Sequence, residues 1–272
     1  LRNPKVLPMI RGYSFEHSAE REIKKVLPKE KYSVSLPLLN PQPGVHDVDV
    51  EINNITTNKK TRVECKLTGG STYSEKRPTI SEMRDSEEWK KIEGRSKLKK
   101  HEQIKEALVK VGYNYQCTSS VKVKCHRSRT SNSESGIKAK SNEYGVTTQQ
   151  AQVHSDRYHE TDFDLVVTSI GNAFYSSEGN QNKLPTFQPS PEAEKILKEA
   201  GLDRSEANNT LLVARASNLS PSIDTPCVSE SCAHNTNCGF IPKYPYIELD
   251  VINGVLTPKL PWYRIEHIES LL

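Results

Sequence analysis

The chain has no apolar run of the ~18 residues needed to cross a bilayer, so no transmembrane helix and no membrane partner are expected. The opening LRNPKVLPMIRGYS has no apolar signal-peptide core either, and a cytoplasmic protein is expected. Apolar residues are scarce: 34% of the 272, with 7% aromatic, two Met and two Trp, and a mean hydropathy of −0.68. Such a chain can bury a core only if long polar excursions sit outside it. No internal repeat stands out, which argues against a solenoid. Neither charge dominates. Lys and Arg number 38 against 34 Asp and Glu, a net charge of +4, which suits a nucleic-acid partner only where basic groups cluster.

The stretch His46 to Gly70, HDVDVEINNITTNKKTRVECKLTGG, does concentrate chemistry. Two strand-like runs flank a polar turn carrying Asn53-Asn54 and Asn58-Lys59-Lys60. Side chains alternate faces along a strand. Asp47, Asp49 and Glu51 therefore share one face, opposite Val48, Val50 and Ile52. In the second run Glu64 and Lys66 share a face, opposite Val63 and Cys65. Pairing the runs as a hairpin brings acidic groups from both beside one lysine. Hard oxygen ligands of this kind hold Mg²⁺, usually with one or two carboxylates. A nearby lysine can orient a water and offset charge on phosphorus. The combination suits hydrolysis of a phosphodiester.

An acidic residue, hydrophobic strand residues, a turn and then Glu-x-Lys resembles the PD-(D/E)xK nuclease superfamily, best known from restriction endonucleases. The residues that carry the resemblance are Asp49 and, 15 positions on, Glu64-Cys65-Lys66; the Pro of the family name is absent beside Asp49. Asp47 is the rival for the first acidic position. The resemblance implies an α/β fold, a restriction-endonuclease-like mixed β-sheet core flanked by helices. It implies Mg²⁺ on Asp49 and Glu64, with Lys66 activating or orienting water. It also implies a first helix whose glutamate assists the metal, and Gly12-x-x-Phe15-Glu16 places that role on Glu16, with Glu20 as the lesser choice.

Around this hairpin the pattern gives a helix from Phe15 to Leu27, with Phe15, Ala19 and Ile23 inward, Ser14 as N-cap and Pro28 as stop. Tyr32–Leu36 alternates as a strand, and a helix is expected over Lys97–Val111. Residues 117–160 are rich in Ser, Thr, Asn and Gln, with seven basic against four acidic groups. They read as a candidate DNA-recognition insertion contacting double-stranded DNA through Lys122, Lys124, Arg127, Arg129, Gln149 and Gln150. Lys122-Val123-Lys124 reads as an edge strand. Phe163–Ile170 is a buried strand, expected parallel to the Glu64 strand after a crossover. Pro191–Ala200 is a helix, Leu211–Ala216 and Tyr246–Ile252 are strands, Asn253-Gly254 is a hairpin turn and Ile265–Leu272 a helix.

Cys227, Cys232, His234 and Cys238 crowd together as C-x4-C-x-H-x3-C, a donor set that can complete a structural Zn²⁺ site. Disulfides are the other option, which a cytosolic setting disfavours. Cys117 and Cys125 are further ligands or plain thiols. The chain is expected to form one nuclease domain over 1–272, with a core at about 11–175 and a C-terminal β/α extension at 176–272 holding the candidate zinc loop 227–238. The expected activity is Mg²⁺-dependent, sequence-specific cleavage of DNA by a homodimer. The alternatives are a structure-specific repair or recombination nuclease and a non-catalytic zinc-stabilised nucleic-acid-binding protein.

Overall fold

The computed structural model describes residues 6–37, 48–125, 133–177, 184–221, 227, 232 and 238–272. The strands are β1 (Tyr32–Ser35), β2 (Val50–Asn54), β3 (Lys60–Cys65), β4 (Ser74–Lys76), β5 (Thr118–Lys122), β6 (Leu165–Ser169), β7 (Tyr175–Ser176), β8 (Thr186–Phe187), β9 (Leu211–Arg215), β10 (Tyr246–Ile252), β11 (Val255–Pro258) and β12 (Tyr263–Arg264). The α-helices are α1 (Val6–Val26), α2 (Ile80–Arg84), α3 (Glu87–Lys90), α4 (His101–Lys110), α5 (Glu134–Tyr144), α6 (Thr148–Val153), α7 (Pro191–Glu199) and α8 (Arg204–Asn209). A 3₁₀ helix, Ile265–Leu271, takes the place of the expected C-terminal α-helix.

A six-stranded sheet runs in the order β1-β2-β3-β6-β9-β12. Only β3 and β6 are parallel among its pairs, so the sheet is mixed. The β2–β3 hairpin forms as its turn residues dictate. Asn54 Oδ1 accepts from the amides of Thr56 and Thr57, both at 3.0 Å, and Asn58 takes a left-handed φ of 55°. The parallel β3–β6 pair needs a crossover, and residues 66 to 164 supply it.

Helix α1 lies on one face of this sheet. Phe15, Ala19 and Ile23 recur every four residues and bury themselves with Val50, Val63 and Val167. The helix begins at Val6, eight residues before Ser14, which therefore stands inside it instead of capping it. Pro8 falls in the first turn, where its missing N–H costs no hydrogen bond. The opposite face packs through Val166, Leu212 and Ala214 against α7 and against Val121 and Leu249 of a second sheet. Strand β6 is covered on both faces and is buried at every position.

The second sheet runs β11-β10-β5-β4. Lys122 is thus in an interior strand, between β4 and β10, and not on an edge as its alternation suggested. The expected helix at 97–111 is α4, starting at His101. Its Ile104 and Leu108 form a satellite cluster with Met83, away from the main sheet. The C-terminal part differs from an added extension: β9 and β12 are strands of the six-stranded sheet itself, and Ile265 and Ile268 join the core under α1.

Candidate functional site

The parity of β3 builds the site. Val63 and Cys65 point into the core beneath α1, so Glu64 and Lys66 project from the opposite face. Asp49 stands in a bend one residue before β2, not at the strand's centre, and its Oδ2 accepts the Cys65 amide at 2.7 Å. That bond fixes the acidic residue of one strand to the Glu-x-Lys of the other. Asp47, the rival, lies outside the described residues. Glu51 is drawn off to Lys60, 3.0 Å away.

Glu64 is only 6% exposed. Its Oε1 forms an ion pair with the Lys66 ammonium and accepts the Tyr158 hydroxyl at 3.0 Å. The Lys66 Nζ also sits 5.0 Å from the centroid of the Tyr158 ring. Tyr158 is the residue that sequence reading missed here. It stands 94 positions from Glu64, and no local spacing signals it.

Burial, then the charge of Glu64 and to a lesser degree Glu16, pushes the Asp49 carboxyl up to about 7. Burial and Glu64 likewise raise Glu16. Burial opposes the charge of Lys66, but Glu64, Tyr158 and Asp49 outweigh it and hold the ammonium above the usual lysine range. Burial, then Glu64, keeps the Tyr158 hydroxyl protonated and therefore a donor. Among the described residues, Asp49, Glu64 and Glu16 thus share one electrostatic neighbourhood with the Lys66 ammonium. Glu20 is occupied by Lys24, 2.5 Å away on the outer face of α1. A group of carboxylates that repel one another is relieved by a divalent cation.

A second centre gathers the cysteines. Ligand atoms of His154, Cys227, Cys232 and Cys238 all lie within 4.8 Å of one another, and all four residues are buried. Cys227 Sγ is 3.7 Å from His154 Nε2, close to the ~3.8 Å edge of a tetrahedron with bonds of about 2.3 Å. Among the described residues this is the one group of three or more His, Cys, Asp or Glu gathered so closely, and the set can hold a metal ion such as zinc. Asp49, Glu64 and Glu16 do not close up in that way. Burial, then Arg157 and Lys140, lowers His154 to about 4, which leaves the neutral imidazole that ligates metals. Burial first, then Cys227 and Cys232, pushes Cys238 up to about 12, so several thiolates here call for a cation.

The imidazole of this group comes from His154; His234 lies outside the described residues. His154 is 73 positions from Cys227, beyond the reach of a spacing argument. Its signal in the sequence was only its place in a polar stretch rich in histidine. Gln150 Nε2 approaches Cys232 Sγ at 3.7 Å and Arg157 Nη1 approaches Cys227 Sγ at 4.0 Å, as outer donors to metal-bound sulfur do. Lys140 is 9% exposed. Its ammonium donates to the carbonyls of His154, Ser155 and Arg157 at 2.8 to 3.1 Å, pinning α5 to the knot.

Within the described part of 117–160, several side chains join the knot and the core. Gln150 also caps α6 through Thr147 and faces the cysteines, while Gln149 is exposed. Lys124 is exposed, and Lys122 lies 5.1 Å from the Tyr246 ring centroid. Arg127 and Arg129 lie outside the described residues. Cys125 is a fully buried core thiol packed with Val121 and Val123, apart from the knot. No helix among the described residues is long and apolar enough to cross a membrane. No protein-family model matches this chain, and no curated protein or solved structure shows significant similarity to it.

Proposed function

We propose that this protein is a Mg²⁺-dependent, sequence-specific endodeoxyribonuclease, similar to a type II restriction endonuclease, acting on double-stranded DNA as a cytoplasmic homodimer. One observation carries the reading. Asp49, Glu64 and Lys66 come from the adjoining ends of two paired strands, at the start of β2 and the end of β3, and meet in a half-buried polar centre on a mixed sheet, with Glu16 of α1 beside them. The alternation of Lys122 and Lys124 on β5 and its continuation offers a cationic approach for phosphates.

The residues fit a hard divalent cation. Glu64 and Asp49 offer carboxylate oxygens, and Asp49 Oδ2 already accepts the Cys65 amide. Two carboxylates are enough for Mg²⁺, which keeps waters and binds substrate phosphate. Bound there, Mg²⁺ would supply neutralisation of phosphate charge and a more acidic water. Lys66, a fixed cation in this setting, donates a hydrogen bond toward the attacking water or a phosphate oxygen instead of acting as a base. Glu16 adds a third carboxylate to the wall of the site. Water attacks phosphorus directly, with no covalent enzyme intermediate. The knot of His154, Cys227, Cys232 and Cys238 takes a structural Zn²⁺.

The test is incubation of purified protein with phage-length DNA, with Mg²⁺ and with EDTA. Discrete Mg²⁺-dependent fragments are expected. Smearing or branch-specific cuts would shift the assignment to a structure-specific nuclease. Zinc-containing protein that binds DNA but cuts none, across DNAs of different methylation, would overturn the nuclease reading in favour of a zinc-stabilised binding protein.

A further inference from the structure

Tyr158 joins the two centres. Its hydroxyl donates to Glu64 Oε1 at 3.0 Å and its ring faces the Lys66 ammonium. Its backbone belongs to the knot. Four residues before it is His154, and Arg157, its neighbour, reaches Cys227 Sγ at 4.0 Å. On the other side the chain beyond Cys238 is laddered onto it. Ile241 N donates to Tyr158 O at 2.9 Å, Glu160 N donates to Gly239 O at 2.8 Å, and His159 bridges Phe240. The fit is tight. Gly239 has a left-handed φ of 69°, and a Cβ there would stand 2.1 Å from His159 Nε2. Tyr158 is therefore clamped between a segment that supplies one ligand of the knot and a segment that supplies another.

We infer that the Cys₃His knot is a positioning device: by clamping residues 157–160 it sets Tyr158 against Glu64 and Lys66, so that metal occupancy of the knot controls cleavage at the sheet. This rests on the nuclease reading above. Tyr158 is a positioning residue. It occupies one oxygen of Glu64 with a neutral donor, which aims the carboxylate and leaves it to the cation, and it supports the ammonium from its ring face. Lys140 holds the same turn through three carbonyls without any metal. It therefore preserves the outline of the segment while the metal sets the final placement of the ring.

The experiment compares the full chain and Tyr158→Phe, each zinc-loaded and each stripped by a mercurial reagent with a chelator. Tyr158→Phe keeps the ring and removes the hydroxyl. Its kcat should fall about ten- to a hundredfold, the worth of a hydrogen bond to a charged group. KM for DNA should stay within about twofold, the Mg²⁺ midpoint should rise, and the zinc content should be unchanged. Stripping zinc should slow the unsubstituted protein by a similar factor and Tyr158→Phe far less, because the two changes remove the same interaction. Hydrogen exchange gives a readout independent of cleavage. On stripping, the amides of Glu160 and Ile241 should lose protection while the Lys66 amide, bonded to Val167 O at 2.9 Å, keeps it.

Cleavage by Tyr158→Phe at the unsubstituted rate, in a protein that does cut, overturns the positioning role and leaves the nuclease reading standing. Unchanged protection at Glu160 and Ile241 overturns the link between metal and Tyr158. Loss of protection at Lys66 as well overturns it in favour of a metal that holds the whole fold. A protein that cuts no DNA overturns the nuclease reading and the positioning role together, while the exchange result still decides whether the knot orders Tyr158.

Discussion

Asp49→Asn and Lys66→Ala are each expected to lower Mg²⁺-dependent cleavage by at least ~10³-fold, the scale of losing a group that acts on charge in the transition state, and to move the stability of the metal-free protein in opposite directions. Asp49 has its pKa raised from 3.8 to about 7 by burial and by Glu64. A carboxyl raised on folding opposes the fold once it ionises. The penalty is absent below the unfolded pKa, grows as pH rises from about 4 to about 7, and is constant above. Asparagine keeps an oxygen for the Cys65 amide and carries no charge. Above pH 7 the substitution should therefore stabilise the metal-free chain, by no more than ~4 kcal/mol and by less where water reaches the part-exposed carboxylate. The gain should fade toward pH 4. Lys66→Ala does the reverse. It leaves Glu64, 6% exposed, with Asp49 and no cation. Breaking a buried pair from one side costs about 3–5 kcal/mol. Melting curves in EDTA at pH 5 and pH 8, beside a cleavage gel, read both effects. Full cleavage by either variant, or melting shifts of the same sign at pH 8, would sink the assignment of this centre. DNA affinity measured in Ca²⁺ should change little in either variant, which separates lost chemistry from lost binding.

What could be read without coordinates was what depends on nearest neighbours. The alternation Val63, Glu64, Cys65, Lys66 dictates which side chains enter the core, and the Asn-rich turn dictates a hairpin, so the placing of Glu64 and Lys66 followed. The parallel partner, β6, was legible because the unalternated run Leu165-Val166-Val167 has to be covered on both faces. Long-range pairing was not legible. Alternation in Lys122-Val123-Lys124 says that one side is buried, but not that β4 and β10 flank the strand. Nothing local in Leu211–Arg215 says which sheet it joins. The start of α1 was placed too late because Ser14 is a good cap when read alone, while the helix runs on through it to Val6. Tyr158 and His154 share a single cause. Both act across more than 70 positions of sequence, on Glu64 and on the cysteines respectively. His234 is the imidazole that proximity in the chain offers, whereas His154 reaches the cysteines only through the fold.

The knot therefore makes a prediction that separates the two histidines. His154→Ala should lose tightly bound zinc, with affinity falling by more than the 10- to 100-fold typical of losing an outer-sphere partner, whereas His234→Ala should retain one zinc per chain. His154→Cys should also retain it, since Cys₄ is as good a structural donor set as Cys₃His. Cys227, Cys232, Cys238 and Phe240 form a small buried cluster with Tyr144 and Val146 packed on it. Four side chains are too little apolar area to order such a segment, so binding free energy at the metal becomes local folding free energy. Disulfides do not substitute. Three sulfurs cannot all pair among themselves, and the buried His154 imidazole beside Cys227 Sγ would be left without a cation. In His154→Ala the six-stranded sheet should melt within a few degrees of its usual temperature, because Val50, Val167 and Val213 pack under α1 without touching the knot. The knot should open first, as a separate low-temperature transition that added Zn²⁺ raises in the unsubstituted chain and not in the variant. Elemental analysis and calorimetry read this directly. Zinc retained by His154→Ala and lost by His234→Ala would overturn the ligand set, and absence of zinc from all three variants and the parent would overturn the metal knot itself.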